Sequence, residues 1–246
     1  MANPKFRADQ LLVEQDLAES RERAKRLIMA GLVFLDVHGS RERLDKPGRM
    51  LPANAKLSLA EPERFVSRGA YKLLSAIDHF RLNVTKRIAL DVGASTGGFT
   101  DCLLQYGASK VYAVDVGKSQ LHEKLRADPR VISLEGVNFR LALPDLLPEK
   151  VDLAVIDVSF ISLTKILPAV KGFLKPDGYI VALVKPQFEL GPGQTDKGVV
   201  RDEDLRMQAV RIVANVAQEL GFAPSGIIPA GIKGPKGNQE YLLLLR

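Results

Sequence analysis

From Ala70 onward the 246-residue chain alternates short apolar, β-branched runs with segments of helical spacing. That alternation is the signature of an open, mainly parallel sheet. The predicted strands are 88–92, 110–114, 131–135, 151–157, 179–184, 223–228 and 241–245; helical spacing runs over 99–106, 120–127, 162–174 and 204–220. The expected class is therefore α/β, a Rossmann-like sheet.

The first sixty residues follow a different pattern, two short helices and a small strand-rich piece. Asp9, Leu11, Leu12 and Leu17 begin one stripe. Ser20 is placed to cap a second helix with Ala24, Leu27 and Ile28 inward and Gly31 as its stop. A strand over 32–37 and a turn at His38-Gly39-Ser40 follow. Residues 1–87 hold 17 Lys+Arg against 11 Asp+Glu, a surplus of 6, whereas 88–246 hold 18 of each. Arg21, Arg23, Lys25 and Arg26 avoid the apolar stripe, so the basic face suits either a polyanion such as nucleic acid or plain solvation. Boundaries are expected at 1–60, a linker at 61–69 with Pro and Gly near its ends, and a second domain at 70–246.

Several function classes drop out. Cys102 is the only cysteine and sits in an apolar stretch, as a buried inert thiol would. His38, His79 and His122 stand about forty residues apart with no ligand-spaced partners, so no metal site is expected. The longest uncharged stretch, 220–232, is broken by two prolines and three glycines, too short and too interrupted to span a membrane. With no apolar leader after Met1, a cytoplasmic protein is the expectation.

The first predicted strand ends in Asp91-Val92-Gly93-Ala94-Ser95-Thr96-Gly97-Gly98. Glycines at a strand-to-helix turn let a ligand approach the backbone, at the carboxyl ends of the strands. Ser95 stands where a nicotinamide fingerprint wants its second glycine. Asp91 suits the ammonium of a methionine moiety better than a pyrophosphate, and Asp115, closing the next strand, suits ribose hydroxyls, so the pattern fits S-adenosylmethionine. Two more strands end in charges, Asp157 and Lys185, either solvated strand ends or groups facing the same ligand.

Over residues 6–59, Arg7-x-Asp9-x-x-Leu12, Ser20-Arg21-x-x-Ala24-x-x-Leu27-Ile28-x-x-Gly31-x-Val33 and Lys46-Pro47 resemble an S4 RNA-binding domain; its turn Val37-His38-Gly39 departs from the usual Val-Asn-Gly. By that resemblance Arg7, Arg21 and Lys46 contact RNA phosphates. Over nearly the whole chain, the blocks Ser67-Arg68-Gly69-Ala70-Tyr71-Lys72-Leu73, 91–101, 157–162, Lys185-Pro186-Gln187-Phe188-Glu189 and Gly237-Asn238-Gln239-Glu240-Tyr241 resemble the TlyA-type ribosomal RNA 2'-O-methyltransferases, whose catalytic half is FtsJ-like. The resemblance implies a catalytic set of Lys72, Asp157, Lys185 and Glu240, with Lys185 as base and Lys72 near the developing alkoxide. From the residues alone, Lys72 reads as a solvated helix lysine and Glu240 as an exposed edge charge.

The same resemblance implies a cofactor pocket of Asp91, Gly93, Ala94, Ser95, Thr96, Gly97, Gly98, Asp115 and Asn138, with S-adenosylmethionine as cofactor. Its implied partner is ribosomal RNA or a ribosomal subunit, modified at a cytidine. The connector Arg64-Phe65-Val66 is one residue shorter than the Arg-x-Trp-Val of some members, and 191–198 reads as a lid facing the substrate. Rival expectations are a non-catalytic RNA-binding protein, a membrane-lytic protein, since relatives carry a haemolysin label, and a small-molecule methyltransferase.

Overall fold

The computed structural model describes residues 4–37, 39–60, 64–191 and 193–246. It divides into two compact units, Met1–Glu63 and Arg64–Arg246.

In the first unit, β1 (Lys5–Arg7), α1 (Ala8–Glu14), α2 (Arg21–Met29), β2 (Val33–Val37), β3 (Ser40–Arg43), β4 (Met50–Pro52) and β5 (Lys56–Leu59) follow one another. β1 pairs with β4, and a second antiparallel sheet has the order β3-β2-β5. Ser20 caps α2 by accepting from the Arg23 N–H at 3.2 Å, and Gly31 turns the chain out of the helix at φ +71°. Leu11, Leu12, Ala24, Ile28, Val33 and Leu51 close the core. β3 could not be located beforehand because Ser40–Arg43 is polar throughout and faces solvent. The expected turn residue His38 and residues 61–63 of the expected linker lie outside the described residues. The rest of that linker is not a free tether: Phe65 is 3% exposed in the core of the second unit.

The second unit begins with α3 (Ala70–Phe80), followed by β6 (Ile88–Val92), α4 (Gly98–Gln105), β7 (Lys110–Asp115), α5 (Glu123–Arg126), β8 (Val131–Glu135), β9 (Val151–Ile156), α6 (Leu167–Lys171), β10 (Leu174–Val184), α7 (Pro186–Glu189), α8 (Glu203–Glu219), β11 (Pro224–Pro229) and β12 (Tyr241–Leu245). The seven strands form one sheet in the order β11-β12-β10-β9-β6-β7-β8. β10, β9, β6, β7 and β8 are parallel, while β12 runs antiparallel to both of its neighbours. The direction in which the chain steps along the sheet reverses between β6 and β9, the switch point where doubly wound sheets open a crevice.

Two expected helices are shorter than their spacing suggested. The segment 162–174 breaks into a 3-10 turn, Leu163–Lys165, and α6, because Pro168 belongs in a first turn and Leu174 already enters β10. Of 120–127 only α5 is helical. Side chains alternate along each strand between two cores. Ala89, Leu153, Val155, Val181, Leu183 and Leu242 face one, shared with α3 and α4; Leu90, Ala154, Ile156, Ala182, Val184 and Leu243 face the other, shared with α6 and α8.

Candidate active site

That alternation aims the functional residues. Asp91 and Asp157 take the parity of Ala89 and Val155, and Lys185 and Glu240 that of Leu183 and Leu242, so all four turn toward the layer of α3 and α4. β12 is reversed, which brings its amino end to the rim where β6, β9 and β10 end. The pairing of Val184 with Tyr241 sets Lys185 and Glu240 side by side, and the Asp157 N–H donates to the Val92 carbonyl at 3.0 Å. Four distant stretches thus meet at one rim.

There the charges form two pairs. Lys72, on α3, donates to Glu240 Oε2 at 2.6 Å; the lysine is 8% exposed and the glutamate 0%. Neither is the solvated charge that reading from the residues alone expected, because α3 lies against the face to which β12 turns Glu240. Lys185 Nζ lies 2.6 Å from Asp157 Oδ1, a charge contact without hydrogen-bond alignment, and donates to Ser159 Oγ at 2.9 Å. Glu240 Oε1 is buried with no partner. Gly234 lies so close to this carboxylate that a side chain there would collide with it.

Beside these pairs lies the glycine turn. Gly93 has φ +85°, and a Cβ on it would stand 2.5 Å from the Asp157 carbonyl oxygen. Its glycine therefore permits the close approach of β9 as well as of a ligand. Gly97, at φ +92°, opens α4 over Leu121 and Leu125. A cleft of about 500 Å³ runs past Gly93, Ser95, Asp115 and Asn138, with Val114 and Phe139 as apolar walls. A smaller one of about 180 Å³ shares Gly93, Ser95 and Asp157 with it and adds Ser67, Thr96 and Lys185. Ala94 and Gly98 also line the smaller cleft; Gly97 and Asp91 line neither. Asp115 accepts from the Ser95 N–H at 2.8 Å and the Gly117 N–H at 2.7 Å, which pins the turn to β7.

Asp91 is wholly buried, one layer beneath the clefts. Its Oδ2 accepts from Thr100 Oγ at 2.7 Å, and its Oδ1 has no partner. Burial first, then the nearby charges of Asp157 and Asp115, push its carboxyl up to about 7 against the pull of Thr100. A buried, half-satisfied carboxylate flanked by two more calls for a cation, and the ammonium of S-adenosylmethionine is one. The residues present thus fit that cofactor: an acidic floor, a glycine turn, an acidic rim residue and apolar walls.

Sequence reasoning missed three supporting groups. Asp101, 2% exposed, accepts from the Val66 N–H at 2.8 Å and so fastens the connector to α4. Ser159 holds Lys185, and Glu189 accepts from Ser162 Oγ at 2.5 Å and the Leu163 N–H at 2.9 Å. Burial holds the Glu189 carboxyl above its ordinary value, though both bonds pull it down. Each lies inside a motif block, but nothing in the spacing said what it would touch.

In the first unit, Arg7 and Arg21 share the buried carboxylate of Asp9, Arg7 at 3.0 and 3.1 Å and Arg21 at 3.2 Å. Burial pushes Asp9 upward, but the two guanidinium groups outweigh it and hold the carboxyl below its ordinary value. Both guanidinium groups stay about half exposed. Lys46 is exposed as well, next in sequence to Pro47, whose carbonyl receives the Asp9 N–H.

The sequence profile of FtsJ-like methyltransferases matches residues 65–246. The 16S/23S rRNA (cytidine-2'-O)-methyltransferase TlyA of Mycobacterium tuberculosis is 47% identical over 98% of this chain and 89% of its own length. Hemolysin A of Brachyspira hyodysenteriae is 39% identical over 96% of this chain and 98% of its own. Among solved structures, a candidate hemolysin from Streptococcus thermophilus is 48% identical and superposes with a TM-score of 0.75, covering 99% of this chain and 89% of that one.

Proposed function

Since the chain belongs to the FtsJ-like methyltransferase family, we propose that it transfers the methyl group of S-adenosylmethionine to the 2'-hydroxyl of a cytidine ribose in ribosomal RNA. The observation that carries this reading is the pair of ion pairs, Lys72 with Glu240 and Lys185 with Asp157, set side by side next to the glycine turn.

When bound, S-adenosylmethionine supplies a methyl group on a positively charged sulfur. The residues fitted to hold it are the turn from Gly93 to Gly98, Asp115 at the ribose, Asn138 beside the adenine and Asp91 beneath. A ribose hydroxyl is a very weak acid, so its proton has to leave as the new O–C bond forms and the C–S bond breaks. Lys185 Nζ is the group placed to take that proton. Asp157 and Ser159, already within 2.6 and 2.9 Å, hold the ammonium that results. Lys72, held by Glu240, places a positive end near the oxygen while its negative charge grows. The first unit, through Lys46 and the exposed faces of Arg7 and Arg21, grips RNA phosphates.

This substrate sets the protein's work in the cytoplasm. The membrane-lytic alternative finds no support in the helices: none among the described residues is long and apolar enough to cross a bilayer. The deciding experiment incubates the protein with methyl-labelled cofactor and unmodified ribosomal subunits, then maps the label. A cytidine ribose is the expected acceptor, and label on a base would reject the roles assigned above.

A further inference from the structure

Two sequence blocks that supply the catalytic charges, Asp157 to Ser162 and Lys185 to Glu189, are joined at both of their ends. At the first ends, Lys185 meets Asp157 and Ser159. In the middle, the Phe160 and Phe188 rings stand 5.2 Å apart. At the last ends, Glu189 accepts from Ser162 Oγ and the Leu163 N–H. Only the first tie includes a group that would touch the reacting atoms.

We infer that Glu189 is a positioning residue, whose carboxylate locks the turn after β9 to α7 and thereby sets Lys185 against Asp157. The carboxylate takes both of its donors from one corner, the start of the 3-10 turn Leu163–Lys165. Ser162 Oγ caps that turn by accepting from the Thr164 N–H at 3.1 Å. The corner needs such a brace because Phe160, two residues before it, holds φ +64° against backbone preference and, at 91% exposed, has little packing beyond the Phe188 ring. On the other side, α7 is a single turn that starts at Pro186, directly after Lys185, so a displacement at Glu189 is transmitted to the lysine within four residues. Bond alignment between a proton acceptor and its substrate tolerates little displacement, and an error of about 1 Å costs on the order of a hundredfold in rate.

Part of the test rests on the methyl-transfer reading and part does not. Glu189→Ala is compared with Glu189→Gln, which can still accept from the Leu163 N–H and donate to Ser162 Oγ. Glu149→Ala is the control, since Glu149 braces Lys110 and Tyr112 at the opposite end of the strands. Glu189→Ala is expected to lower kcat on ribosomal subunits by roughly 10- to 100-fold while leaving cofactor KM within about twofold. Glu189→Gln should recover most of the rate, and Glu149→Ala should lower the melting temperature without lowering kcat. Independently of activity, the Nζ resonance of Lys185 in nitrogen-labelled protein, assigned by its loss in Lys185→Arg, should move in Glu189→Ala and stay in Glu149→Ala. An unmoved resonance, an unimpaired kcat in Glu189→Ala, or an equal kcat loss in the control overturns the positioning role. Failure of the wild-type protein to methylate RNA rejects the methyl-transfer reading instead, and the resonance still decides the role of Glu189.

Discussion

Replacing Asp91 by Asn should stabilise the protein without its cofactor and destroy the reason for binding one. The carboxyl ordinarily ionises at 3.8 and in the fold at about 7. Ionising it in the folded chain thus costs about 4 kcal/mol more than in the unfolded chain. The native state holds the proton over this interval and the unfolded state does not. The group's contribution is therefore intact below pH 3.8, falls as pH rises toward 7, and stays flat above that. The amide that Asp91→Asn introduces would carry no charge, and its carbonyl could still accept from Thr100. In calorimetry at pH 8, the unliganded variant should melt higher than wild type by an amount on the order of 10 °C, taking roughly 2–4 °C per kcal/mol for a chain of this size.

Cofactor binding should show the opposite sign. If the ammonium pairs with ionised Asp91, wild-type affinity falls about tenfold for each pH unit below 7, because protonated protein must first release its proton. The Asp91→Asn variant should bind weakly and without that pH dependence. Isothermal titration with S-adenosylmethionine between pH 5.5 and 8.5 reads both. A variant that melts no higher, or that keeps the wild-type pH dependence, would refute the assignment.

Lys185→Ala should abolish methyl transfer with cofactor affinity nearly unchanged by titration calorimetry; full activity would remove it as the proton acceptor. Glu240→Ala leaves the Lys72 ammonium buried without its partner and should cost about 3–5 kcal/mol in denaturant unfolding, whereas Lys72→Met with Glu240→Leu should cost much less. Gly93→Ala forces a methyl group within 2.5 Å of the Asp157 carbonyl and should lower cofactor affinity, while Gly193→Ala, with nothing within 4 Å, should lose only the strain of its φ +84°; equal effects on cofactor titration would be inconsistent with this packing. Arg23→Ala with Lys25→Ala should raise KM for RNA and flatten its salt dependence with kcat unchanged, as judged by initial rates at several ionic strengths.

The parallel sheet was legible because buried strands are written as long apolar runs, and the rim positions Asp157 and Lys185 were legible because a charge ending such a run is conspicuous. Lys72 and Glu240 were not. A lysine opposite an apolar stripe looks solvated, and only the reversal of β12, a tertiary fact, turns Glu240 inward to meet it. Helix periodicity over 162–174 was genuine but ignored Pro168, which resets the helix start. Asp91 stands out in the sequence by its place before the glycines, yet strand parity sets it under α4, buried and outside both clefts, so any effect on a ligand there would come through its field. Glu189 and Asp101 were visible as letters inside motif blocks, but each takes a bond from a distant backbone N–H, which no side-chain pattern announces.

The rim also bears on where a patch that attracts RNA can sit. Lys72 and Lys185 are matched by Glu240 and Asp157, and Asp91 and Asp115 add two carboxylates that can ionise, so the site tends toward negative. A negative rim favours a cationic methyl donor and binds the neutral thioether left after transfer less well, since the sulfur's positive charge has gone with the methyl. For the same reason it repels phosphate, and it cannot gather RNA by long-range attraction. Exposed Arg23, Lys25 and Arg26, on one helix of the first unit, supply that attraction away from the methyl donor, as a local patch in a unit whose charges otherwise nearly cancel. Affinity for a polyanion and chemistry on a cation are opposed electrostatic demands, and a chain that needs both has reason to carry them on separate surfaces.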